Sequence, residues 1–594
     1  MFRWLRSKWI LPALSGVAIT AAMSICGASS AQLGRVFVND DAPPGGDGTS
    51  WASAYNDLAT AIQTAPIPSE IWVAEGVYHP DQGTGDRELS FELRNGLALL
   101  GGFSGAETRA RDRNPIDHPT ILSGDIGAPE VSVDNSQHVV IATNTDRSAL
   151  LDGFIIEHGR SDRFGGGMYI LNGSPIIRKC TFRLNTAYAG GGVFNRQGDP
   201  YMSTCVFTEN EALVRGAGLY NISSNGIYED CIFFDNSTLE GGSGVYNIGG
   251  DSVFRRCSFT TNTTPGGGAG FYNFVGLPRL DDCDFVRNSS AFGAAFVNDS
   301  GLPIITNTRF VRNVSTGDGG AIHITNGFLQ LVNCLFDANE AARGAVVFDI
   351  RGFPEFINCT MANQVANEGG VSLGSDFGEL VFRNCVMWDN GANPIAGAAL
   401  QDIQYSVIEG GYLGEGNINI DPEFADDDLR LSAASPAIDA GMNDALPIFA
   451  TADLDGRPRQ LDDPSTPDTG LGEAPIVDMG AYEFDGGGAR LKLTPLSPGV
   501  AGRVNQIMVD GATAGTKVYF AFGFEAGRAS LPNCPGVIAG IAQPRLMGVA
   551  IADPTGHAEI SGFVPPQASG MTIHLQSGEP ASCRVSNIIR QLMQ

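Results

Sequence analysis

Positive charge is what this chain has least of: 37 Lys and Arg stand against 65 Asp and Glu, a formal net charge of -28. Such a field repels nucleic acid and anionic lipid, so neither is an expected partner. Lysine is nearly absent; past the amino terminus there are only Lys179, Lys492 and Lys517. Beyond the first residues no apolar run approaches the roughly 18 residues that span a bilayer, so no integral membrane span is expected. A Gly-x-y period is also missing, which excludes collagen despite 77 Gly, while 43% apolar residues exclude a wholly disordered chain. No zinc-binding helix, phosphate loop or nucleophile elbow is present. His118, His138 and His158 follow no metal-ligand spacing.

What is there begins with an export signal. Arg3, Arg6 and Lys8 precede an apolar run from Trp9 to about Ile25, and Ala28-Ser29-Ser30-Ala31 follows. That order marks residues 1–31 as a signal peptide cleaved after Ala31, and the product as exported, extracellular or at the surface of a bacterial envelope. Ile25 is bulky where a lipidated cysteine follows a small residue, so cleavage and not lipidation at Cys26 is expected.

The dominant feature is a repeat. Cys180, Cys205, Cys231, Cys257, Cys283, Cys334, Cys359 and Cys385 recur every 25 or 26 residues, with Thr308 filling the one double gap. Two residues after each position stands Phe182, Phe207, Phe233, Phe259, Phe285, Phe310, Phe336, Met361 or Met387. Three further on stands Asn, with Gln364 the one exception. Short apolar pieces without a 3.6-residue period suit one coil of a three-faced parallel β-helix, an all-β solenoid, better than a helical repeat. Like residues then stack at about 4.8 Å: Phe fills the core, Asn amides ladder at bends, and nine visible coils make a rod of roughly 40 Å. Parallel cysteine side chains bridge poorly, so the ladder is read as buried unpaired thiols.

The Phe-x-x-Asn repeats and glycine runs such as Gly319-Gly320-Ala321-Ile322 resemble the repeats of chlamydial polymorphic outer-membrane proteins and related right-handed parallel β-helix proteins of the pectate-lyase-like kind. The resemblance implies the fold and leaves open enzymes and adhesive surface proteins. Residues 490–594 are too few for an autotransporter barrel, and Gln594 is not a terminal aromatic, so self-secretion is not expected. Val36-Phe37-Val38-Asn39-Asp40-Asp41 resembles the opening of secreted bacterial β-helices. Ser435-Pro436-Ala437-Ile438-Asp439-Ala440-Gly441, with Asp478-Met479-Gly480-Ala481-Tyr482-Glu483, resembles the choice-of-anchor Q segment of exported bacterial proteins. The expected organisation is therefore a signal peptide at 1–31, an N-terminal cap and first coils at 32–150, and the parallel β-helix at 151–420. A choice-of-anchor Q-like segment covering the open end follows at 421–489, and a small β-sandwich at 490–594.

Candidate sites follow from breaks and columns in the repeat. Tyr169, Phe194, Tyr220, Tyr246 and Tyr272 form an aromatic column that could stack on sugar rings, each next to an apolar residue facing the other way. Asp281 and Asp282 sit one coil beyond Arg255 and Arg256, and two beyond Glu229 and Asp230; they are read as a charge ladder and, secondarily, as catalytic carboxylates. His323 is taken to replace the column Asn195, Asn221, Asn247, Asn273 and Asn298, and is the third catalytic candidate. Asp453 and Asp455 form half of a calcium loop, with Thr451 breaking it; Asp426-Asp427-Asp428 is read as a solvated acidic turn. No cofactor is required, and calcium is the only metal considered. Cys534 and Cys583, outside the repeat in an exported chain, are paired as a disulfide. Two functions are carried forward: non-catalytic binding or adhesion to a polysaccharide or surface protein, and a carbohydrate-active enzyme, either a polysaccharide lyase or a glycoside hydrolase.

Overall fold

The computed structural model describes residues 34–367, 373–391, 395–397, 400–484, 491–524, 526–530, 538–541, 544–568, 571–581 and 584–593. The segment expected to be a signal peptide at 1–31, Cys26 within it, and Cys534 and Cys583 lie outside these residues.

One coil is made of short strands joined by tight corners. Met168–Leu171, Ile176–Arg178, Thr181–Arg183 and Thr186–Ala189 form one turn, and Val193–Arg196, Tyr201–Ser203, Val206–Thr208 and Glu211–Arg215 the next. Corresponding strands are parallel, and apart from a shift between Thr186–Ala189 and Glu211–Arg215 these two coils are in register; along the Thr181–Arg183 face Phe182 is opposite Phe207, Phe207 opposite Phe233 and Phe233 opposite Phe259. One face is a continuous sheet of 13 strands. That is four coils more than the cysteine repeat displays, and the rod is about 60 Å long at strand spacing. Strands Gly76–Tyr78, Thr120–Ser123 and Phe154–Glu157 precede the repeat, and Val407–Ile408 follows it.

Two kinds of corner explain the repeat chemically. The residue before each cysteine position, including Thr204, Asp230, Arg256, Asp282 and Asn307, has a positive φ near 50°, and so has the residue before each ladder Asn, including Glu209, Asp235 and Thr261. A single left-handed residue turns the chain between adjacent faces; for residues other than Gly this conformation is uncommon, and the polar ladders hold it. Asn236 shows the pattern, donating to the Phe207 carbonyl of the preceding coil at 2.9 Å and to Asn262 Oδ1 at 3.0 Å. A second ladder runs inside the coil through Asn195, Asn221, Asn247, Asn273 and Asn298, with Asn247 donating to Asn273 at 3.1 Å and Asn273 to Asn298 at 2.9 Å. One rung of this second ladder is missing: Asn221 Oδ1 accepts from Asn195 and from the Tyr228 hydroxyl, while Asn221 Nδ2 and Asn247 Oδ1 find no partner; along the bonded rungs each amide aligns its neighbour.

The core is filled by stacked rings. Phe207 and Phe233 lie 4.6 Å apart and Phe259 and Phe285 4.5 Å, all within a few degrees of parallel. The eight repeat cysteines are buried and unpaired. Their thiols donate weakly to carbonyls, as Cys231 does to Glu229 at 3.4 Å, and burial pushes Cys359 and Cys385 well above the usual thiol range. Thr308 occupies the column as an isostere, accepting from the Cys283 N–H and donating to the Thr306 carbonyl; Ser406 does the same after Cys385.

At the amino-terminal end, helix Leu58–Thr64 is capped by Asp57, which accepts from the Thr60 N–H, and lays Leu58, Ala61 and Ile62 on the core. Residues 421–484 contain almost no strand. Instead of lying only over the open end, they run along the flank of the last coils: Asn333, Asn358 and Asn384 donate to the carbonyls of Ala452, Asp478 and Met442. The described residues of 491–593 form two antiparallel sheets around Ile507, Val509, Phe520 and Leu575 and a further two-stranded antiparallel ribbon, and dock on the solenoid through Arg590, which donates to the Arg256 carbonyl at 2.8 Å.

Candidate functional site

The aromatic column lies on the outer side of its sheet, back to back with the core residues Met168, Val193, Leu219, Val245 and Phe271. It is nevertheless largely covered. Phe164 and Ala189 pack on it, and Arg215 lies 5.0 Å above the Tyr246 ring, leaving Phe194, Tyr220 and Tyr246 at 2%, 7% and 5% exposure. Loss of hydration pushes Tyr272 up to about 12 and raises Tyr220 and Tyr246. The two ends stay partly open: Tyr169, packed against His138, and Tyr272, beside exposed Phe274, Val275 and Leu277, are both half-buried.

His323 belongs to this aromatic column and not to the Asn ladder. It pairs with Val297 on one side and Phe348 on the other, and Ile324 is the residue opposite Asn298. The expected position was one residue out of register, and in a strand one residue reverses the direction of the side chain. The imidazole is buried between Phe292 and Phe348, its Nδ1 has no partner, and desolvation lowers it to about 4.

The carboxylates are held by neighbours. Glu229 accepts from Tyr201 at 2.8 Å and from Arg255 at 3.0 Å; Asp230 takes the Arg256 fork at 2.9 and 3.0 Å. Asp281 accepts from Thr306 at 2.6 Å and Asn307 at 3.0 Å. Asp282, still partly open to solvent, lies 3.4 Å from Arg590; loss of hydration beneath the C-terminal sheets pushes it up to about 6 against the pull of that arginine. His323 is not among the partners of either aspartate. Asp453 accepts from the Asp455, Arg457 and Glu483 N–H groups, and Asp455 takes the Arg430 fork at 2.9 and 3.0 Å. Asp426 and Asp428 also pair with Arg430, and Asp427 with Lys492.

A different feature crosses five coils. The residue after each ladder Asn points outward, and Thr186, Glu211, Ser237, Thr263 and Ser289 line a shallow groove of about 560 Å³. Leu213 and Leu239, 56% and 59% exposed, form its apolar lip with Pro265. Five coils at strand spacing give about 20 Å of groove. The hydroxyl column was legible as the position after each Asn; its concavity was not, because it depends on where the adjoining strands turn.

A family described as "Right handed beta helix region" matches residues 129–272. The molecule is a right-handed parallel β-helix repeat protein. The crystal structure of pectate lyase Pel9A is similar at 14% identity and a TM-score of 0.30, over 76% of this chain and 97% of that one. No curated protein matches.

Proposed function

We propose that this β-helix is an exported, cell-surface or extracellular protein that holds an extended polysaccharide in the groove without cleaving it. One observation carries this reading: Glu211 is the only carboxylate among the groove-lining residues, amid a regular file of hydroxyls and an apolar lip. Glycoside hydrolysis uses two carboxylates across the scissile bond, and lyase chemistry a base beside a neutralised acid. Hydroxyls and alkyl edges instead match the polar rim and apolar face of a sugar chain. The net charge of -28 favours neutral over acidic chains. The export pattern read at residues 1–31 supports an encounter with polysaccharide outside the cell.

The test is retention of the purified protein on insoluble neutral and acidic polysaccharides. Leu213→Glu and Leu239→Glu together put two charges on an exposed lip without touching the core. Retention should weaken at least tenfold at unchanged circular dichroism; undiminished retention would remove the groove from the reading.

A further inference from the structure

We propose that Asp439, Asp462 and Asp468 form a calcium-type divalent cation site that ties the exposed 462–470 loop to the buried turn at residue 439. Carboxylate oxygens of the three lie within 4.8 Å of one another. Calcium bonds oxygens at 2.3–2.6 Å, so donors on opposite sides of one ion stand up to about 5 Å apart, and this cluster fits that span.

The independent observation is the state of Asp439. Its side chain is wholly buried, and Oδ1 has no hydrogen-bond partner; Oδ2 accepts only the Asp463 N–H, at 3.3 Å. The residue cannot simply turn away. Its N–H donates to Asp478 Oδ1 at 2.7 Å, and its carbonyl accepts from the Thr469 and Gly470 N–H groups at 2.9 and 3.1 Å. A fixed backbone thus presents one unused carboxylate oxygen to two further carboxylates.

Among the described residues no Lys, Arg or His forms an ion pair with any of the three; Arg430 and Arg459 of the same segment pair with Asp455 and Glu483. The donors are all hard oxygens, which suits calcium and not a thiolate- or imidazole-seeking ion. Asp462 and Asp468 are exposed, leaving room for the waters that complete six to eight ligands. This site is separate from the groove and does not depend on how the groove is used.

The experiment uses the whole purified protein, stripped with chelator and titrated with calcium chloride or magnesium chloride, reading heat of binding and melting temperature. Calcium should bind and raise the melting temperature. The double variant Asp462→Asn, Asp468→Asn should lose at least tenfold in calcium affinity and most of that rise. Without calcium it should melt no lower than the parent, because it has lost only repulsion. Asp455→Asn should still bind calcium. The proposal is overturned by no calcium uptake, by equal affinity in parent and double variant, by loss of binding in Asp455→Asn instead, or by magnesium binding alone.

Discussion

His323 shows how one side chain in a repeat carries a measurable pH signature. Its ring stands in for an aromatic rung, buried between Phe292 and Phe348, and is neutral in the fold down to about pH 4. A histidine in the unfolded chain takes its proton near pH 6.5. As pH falls from 6.5 towards 4 the unfolded state therefore binds more protons than the native state, and stability is lost across that window. His323→Phe restores an apolar rung and removes this proton. Its stability relative to the parent should rise by about 2 kcal/mol between pH 8 and pH 5. Urea midpoints at the two pH values measure this, and parallel pH profiles for the two proteins would refute the assignment. The buried carboxylates act in the opposite sense: Asp453 and Asp478 are raised to about 6 and about 7 by burial, so their contribution weakens as pH rises through those values.

At the scale of the element, the turn back to the aromatic face depends on glycine. Gly216, Gly242, Gly268, Gly293 and Gly319 occupy one column with φ between 56° and 74°. At Gly242 a Cβ would lie 2.7 Å from the Val245 carbonyl oxygen. Gly242→Ala should therefore cost about 1–3 kcal/mol from backbone conformation and contact together, read as a lowered melting temperature. A neutral result would show that the turn relaxes. Much of the coil was visible in the sequence, because residues that stack on themselves must repeat: the Phe, Cys and Asn columns were all legible. Three things were not. The corner residues Thr204, Asp230 and Arg256 share a backbone conformation but no side-chain chemistry. Coils before Cys180 and after Cys385 keep the strands without the Phe and Cys. The spacing alternates between 25 and 26, and that single residue was enough to place His323 in the wrong column.

For the whole molecule, a file of hydroxyls on a stiff rod is a different object from a catalytic pocket. Parallel pairing from coil to coil fixes the spacing of Thr186, Glu211, Ser237, Thr263 and Ser289. A ligand meets that file with little ordering left to do, which favours a chain of repeating units. The sequence pointed instead to the aromatic column, as one of two columns that face opposite ways without showing which of them faces outward. Its covering by Phe164, Ala189 and Arg215 arises from packing between coils, and no single repeat displays it. The C-terminal sheets add the contact of Arg590 with Arg256 and Asp282, far from the groove in sequence. The most direct test incubates the purified protein with soluble neutral and acidic polysaccharides, recording retention, new reducing ends and unsaturated products in the same samples. The account predicts retention of a neutral chain with neither product. Release of either product would contradict it; release that persists after Leu213→Glu and Leu239→Glu would direct attention to Asp281 and Asp282.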